Sequence, residues 1–99
     1  MSEALRWAAL AVDPDDDVAV ALRDIAAGET VPVRIGARVV PTVARESIPM
    51  GHKMALRAIG SGAPVRKYGQ PIGAATAGIA PGAHVHVHNV ASRRARARA

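Results

Sequence analysis

Three of the four histidines in this 99-residue chain stand at alternate positions in Ala83-His84-Val85-His86-Val87-His88-Asn89-Val90. Imidazole titrates near neutral pH and can take up or give back a proton, so a row of three marks a place for acid–base work. In an extended strand successive side chains point to opposite faces. The alternation therefore predicts His84, His86 and His88 on one outward face, with Val85 and Val87 buried behind them. The fourth histidine lies in Gly51-His52-Lys53, just after Ile48-Pro49. The two stretches are expected to meet in space and form the working surface.

The elements that must hold these groups are short. Nine glycines and seven prolines punctuate the chain, which favours brief strands and tight turns over long helices. Trp7 and Tyr68 are the only aromatic residues. Both read as packing residues, so the core must come from Val, Ile, Leu, Met and alanine. Leu5–Val12 reads as a first strand ending in Asp13-Pro14-Asp15-Asp16-Asp17. That cluster lacks the ligand spacing, central glycine and downstream glutamate of a calcium loop, and reads as a solvated turn. Val31–Ile35 and Arg38–Glu46 are strand candidates divided at Gly36, with Pro41 confining the second to an edge or bulge. Val65–Gly73 reads as strand, turn and strand entry, and the histidine-rich strand closes the domain near Val90.

One device recurs. Ala-Leu-Arg-x-Ile-x-x-Gly-x-x-Val runs from Ala21 to Val31 and again from Ala55 to Val65, and Ile-x-x-Gly-x-x-Val returns at Ile79, Gly82 and Val85. Each copy reads as a short helical turn whose isoleucine docks in the core. Its glycine takes a positive φ that other residues resist, and its valine opens a new strand. The repeat is too irregular for a solenoid, so the chain is one mostly-β domain.

Ile48-Pro49-x-Gly51-His52-Lys53-x-Ala55-Leu56, then Val65-x-Lys67-Tyr68-Gly69-x-x-Ile72-Gly73-x-Ala75, then Gly82-x-x-Val85-His86-x-His88-Asn89 resemble the SAF (β-clip) domain of altronate and galactarate dehydratases. The same domain serves as the small subunit of relatives such as sulfolactate sulfo-lyase. The resemblance runs from about Asp16 to Val90 and implies a small β-clip domain, read here over residues 1–91, with a tail over residues 92–99 that matches nothing in the family. It implies a small subunit of a sugar-acid dehydratase-type lyase, inactive alone, covering an active site in a separate large catalytic subunit. Dehydration removes the proton beside a carboxylate and expels the neighbouring hydroxyl, so charge builds on the carboxylate. The catalytic candidates are His52, His86 and His88. Lys53 and Lys67 suit a small anionic sugar acid, and Asn89 suits its hydroxyl. A divalent metal, Fe2+ or Mn2+, would serve the assembled enzyme, with His52, His86 and His88 as candidate ligands and no obvious carboxylate beside them. His84 stands outside the family motif and is expected to be structural. The alternative left open here is a stand-alone SAF module that binds carbohydrate or a protein without catalysis.

Charge and composition narrow the partners. The net charge is +5, but four arginines stand at positions 93, 94, 96 and 98, and the remaining nine Lys and Arg face eight Asp and Glu. A near-neutral body makes nucleic acid an unlikely partner, and the Arg/Ala tail reads as disordered. Without cysteine there is no disulfide and no thiolate ligand or nucleophile. No apolar run is long enough for a membrane span or a secretory leader, so a cytoplasmic location is expected.

Overall fold

The computed structural model describes residues 7–92, and among these there are strands, turns and bridges but no helix. The strands are β1 (Ala9–Ala11), β2 (Val18–Ala21), β3 (Thr30–Ile35), β4 (Arg38–Val43), β5 (Lys53–Ala55), β6 (Pro64–Lys67), β7 (Gln70–Ala75), β8 (His84–Val85) and β9 (Val90–Ser92). Six form one sheet in the order β4-β3-β1-β2-β5-β8, and three form a second in the order β6-β7-β9. All pairings are antiparallel except β1 with β3. Pro41 lies in β4, an edge strand, where its missing N–H costs no ladder bond. The expected first strand is β1, with residues 5 and 6 outside the described range. The last strand ends at Ser92, and the remainder of the expected tail lies outside the described residues.

The repeat is deeper than its sequence trace. The device occurs four times, the fourth copy being Ile48-x-x-Gly51-x-x-Met54, which escapes a motif search because methionine replaces valine. Gly28, Gly51, Gly62 and Gly82 have φ of 86°, 85°, 84° and 82°. Each sits third in a four-residue turn closed by an amide-to-carbonyl bond: Glu29 to Ala26, His52 to Pro49, Ala63 to Gly60 and Ala83 to Ala80. A positive φ at the third position is the type II turn. These are reverse turns, not the helical turns anticipated, because the glycine breaks the right-handed run that a helix needs.

The copies bond in pairs. Ile25 and Ile48 exchange both backbone bonds, at 2.9 Å each, and Ile59 and Ile79 do the same at 2.9 and 2.8 Å. The surrounding bonds repeat too: Gly51 N–H donates to the Ala21 carbonyl and Gly82 N–H to Ala55, while Gly28 donates to Ala44 and Gly62 to Ala75. The domain is thus two structurally equivalent units in tandem, each with its own core. Ile25, Val31, Ala44, Ile48 and Met54 pack in the first core, and Ile59, Val65, Ala75, Ile79 and Val85 in the second. Alanines fill both cores, as strands brought close together leave little room for larger side chains.

Two further readings are corrected. The acidic cluster is not merely solvated: Asp16 is fully buried. Its carboxylate accepts the amides of Tyr68 at 2.9 Å and Gly69 at 2.7 Å, and Asp17 accepts that of Arg66 at 2.8 Å. The first loop therefore clamps the β6–β7 hairpin turn, where Tyr68 and Gly69 both have positive φ, 56° and 74°. Tyr68 is exposed rather than packed, because that turn throws its ring outward beneath the Lys67 ammonium, 4.7 Å from the ring centre.

Candidate functional site: a histidine cluster

The histidines meet because two of the type II turns feed neighbouring strands. The turns at Ile48–Met54 and Ile79–Val85 lead into β5 and β8, which pair antiparallel with Lys53 opposite Val85 and Met54 opposite His84. One step beyond the ladder, His52 faces His86 across the pair. Their rings stack with centroids 3.9 Å apart and planes 15° apart. His84 joins edge-on: its Nε2 lies 2.8 Å from His52 Nδ1, so one of the two carries the proton they share. His88 stands 5.2 Å from His84, ring centre to ring centre, on the exposed rim.

The expected strand alternation holds only to Val85. There β8 stops, and residues 86–89 form a turn, so Val87 is 81% exposed rather than buried. Asn89 explains the break. Its Oδ1 accepts the His86 amide at 2.9 Å and its Nδ2 donates to the His84 carbonyl at 2.9 Å, while its own amide donates to the His86 carbonyl. The side chain proposed for a substrate hydroxyl thus holds the turn that presents His86 and His88.

Two of the imidazoles, His84 and His86, are held towards the neutral form. Burial lowers the His84 pKa, with further lowering by His52, His88 and His86 and a smaller opposing effect of Glu46. His86 is lowered by desolvation first, then by His52, Lys53 and His88. Desolvation and the nearby Lys67 also lower Lys53. Lys53 and His86 line a cavity of about 200 Å³ completed by Ile72, Val87, Val90 and Ser92. Of the residues named from sequence, His52 and His86 are in contact, Lys53 adjoins them at the cavity, Lys67 acts on Lys53, and His88 stands at the rim.

Two members were missed. His84, set aside as structural, bonds directly to His52. The strand alternation already placed it beside His86, and only its absence from the family motif argued otherwise. Glu46, whose Oε1 accepts the His84 amide at 2.6 Å, braces the backbone of the cluster rather than joining its ring nitrogens. Nothing local marks it, since it reaches the site across thirty-eight positions.

Ring nitrogens of His52, His84 and His86 lie within 4.8 Å of one another. An all-imidazole donor set fits zinc or ferrous iron and suits Mn2+ poorly, because Mn2+ prefers oxygen ligands. The donors thus fit the first of the two metals expected, and His84 rather than His88 stands with His52 and His86.

A small two-core β domain that concentrates all its histidines at one strand pair defines a structural class, and comparison with known proteins supplies the family. The model of the altronate/galactarate dehydratase SAF domain matches residues 7–93, and the chain belongs to that family. It is 50% identical over 74 residues to altronate dehydratase of Escherichia coli (strain K12), covering 75% of this chain and 14% of that protein. The match to altronate dehydratase of Bacillus subtilis (strain 168) is 42% over 78 residues, 79% of this chain and 15% of the relative. With (2R)-sulfolactate sulfo-lyase subunit alpha of Paracoccus pantotrophus it shares 43% over 51 residues, 52% of this chain and 76% of that subunit. The chain therefore spans about a seventh of the altronate dehydratases it matches.

Proposed function

We propose that this chain is the small subunit of a sugar-acid dehydratase-type lyase, closing over an active site in a separate large chain and lending it histidines. The observation that carries this reading is the convergence of His52, from one turn, with His84 and His86, from its counterpart, beside Lys53. A generic binding module has no need to gather its imidazoles so closely. The family match supports a lyase context, and the subunit-alpha relatives support a partner chain.

In this reading the substrate is a small anionic hydroxy acid. Lys53 and Lys67 attract its carboxylate and offset the charge that builds there as the neighbouring proton leaves. His88, on the exposed rim, takes up that proton at a ring nitrogen. It then passes the proton to the departing hydroxyl, which leaves as water. Asn89 contributes by fixing the turn rather than by touching substrate.

The test is co-expression with a large dehydratase chain encoded beside this one. A stable complex that dehydrates a sugar acid, when neither chain does so alone, is the expected result. A large chain fully active by itself would remove the role proposed here. An isolated domain that binds carbohydrate without forming a complex would favour the binding module instead.

A further inference from the structure

We propose that His52, His84 and His86 form a binding site on this chain for one divalent transition-metal ion of the class imidazole prefers: zinc, ferrous iron, cobalt or nickel. The inference deepens the proposed function and rests on reading the histidine cluster as the working surface. The ion-binding site itself can be tested on this chain alone.

Three observations converge on it. The first is the approach of His52 Nδ1 to His84 Nε2 at 2.8 Å, a distance spanned by one shared proton. Two imidazole nitrogens on the same ion, each at about 2.1 Å from it, stand roughly 3.0 to 3.4 Å apart. An opening of a few tenths of an ångström lets an ion take the place of that proton. The second is the Nδ1 of His86, which is buried and has no hydrogen-bond partner. A buried polar atom without a partner is uncommon and calls for an explanation, an unseen ion among them. The third is the proximity of all three ring nitrogens, within 4.8 Å of one another.

The surroundings suit a ligand set. Glu46 holds the His84 amide, and Asn89 bonds to the backbone on either side of Val85. The backbone that carries two of the ligands is therefore fixed, as ligands need to be. The planes of His86 and His52 lie 15° apart, those of His86 and His84 12° apart. An ion lies in the plane of each ring it binds, so binding turns the His86 ring out of its stack towards the His52–His84 edge. Three protein nitrogens leave further positions open, as catalytic sites require. Of the three, His86 also lines the cavity where Lys53 stands, and open positions on such an ion suit the oxygen atoms of a hydroxy acid.

The experiment uses the full chain, free of any affinity tag and stripped of metal with a chelator, titrated with Co2+ and followed by its visible absorption. One Co2+ per chain is expected, displaced by Zn2+ and unaffected by excess Mg2+. His84→Ala should weaken Co2+ binding at least tenfold, as should His52→Ala and His86→Ala, while His88→Ala should stay within about threefold of the parent. Circular dichroism checks that each variant is folded, and the glutamine variant at the same position, which keeps the side-chain bulk, replaces any alanine variant that is not. Absence of saturable Co2+ binding by the parent chain overturns the proposal. So does a folded His84 variant that keeps the parent's affinity. Saturable binding alongside a large chain that is fully active alone would leave the metal site standing and remove the subunit reading.

Discussion

The turn that opens β6, Ile59–Val65, and the turn that opens β8, Ile79–Val85, are one device joined to itself through the Ile59–Ile79 bridge. Their glycines have the same φ, within two degrees, and their valines are buried in the same core. Yet the first leads into Ala63-Pro64 and carries no titratable group, while the second leads into His84 and His86. The matching pair in the other unit divides by histidine: the Ile25 turn leads into Glu29-Thr30, whose carboxylate is taken up by Arg23, and the Ile48 turn into His52-Lys53. The scaffold thus offers four equivalent turns, and the histidines stand on the two that feed the adjacent strands β5 and β8. Position in the sheet, not the turn itself, decides which copies form the site.

The two glycines also differ in their surroundings, and substitution should separate them. A Cβ on Gly82 would run into the Val43 carbonyl oxygen, whereas one on Gly62 would meet nothing within 4 Å. Gly82→Val is expected to cost about 4 kcal/mol or more, since backbone strain and collision add. Gly62→Val should cost about 1–3 kcal/mol from the left-handed conformation alone. Urea unfolding of both variants checks this, and equal losses would show that the Val43 contact yields easily.

Between these lies Asp16. Asp16→Ala removes the acceptor of the Tyr68 and Gly69 amides in a buried place, and should cost about 2–3 kcal/mol. Asp15→Ala, on the exposed part of the same loop, should fall within about 0.5 kcal/mol of the parent. Similar losses for the two would return the acidic cluster to the solvated turn first read from the sequence.

The smallest effect concerns pH. His84 and His86 are held below the ordinary imidazole value of 6.5 in the folded chain. Below that value the unfolded chain binds more protons, so acid favours unfolding, and stability rises with pH through this range. The metal-free urea midpoint should therefore fall between pH 7.5 and 5.5. His84→Gln should reduce that fall, and a midpoint that rises on acidification would contradict the desolvation of the cluster.

Much of this was legible in the sequence. The Ile-x-x-Gly-x-x-Val spacing marked three of the four turns, since a type II turn needs glycine at one place and a core needs its isoleucine and valine. The copy at Ile48 was hidden because the last position asks only for an apolar side chain, and Met54 fills it as well as valine. The strand alternation that placed His84 beside His86 was sound up to Val85. It failed at Val87 because Asn89, read as a substrate ligand, folds back on the backbone and ends the strand. Asp16 and Glu46 were illegible for a shared reason. Each acts on backbone amides more than thirty positions away, and such amides leave no trace in residue types.

The central claim is that the histidines delivered by the two counterpart turns do the work of a shared active site. Its most direct test is sugar-acid turnover by the co-expressed two-chain complex with His86→Ala in this chain. Turnover should fall by about 10²-fold or more, the scale of a lost proton-transfer or charge-stabilising group, while the complex still purifies intact. An intact complex of the variant with parental turnover would contradict the account.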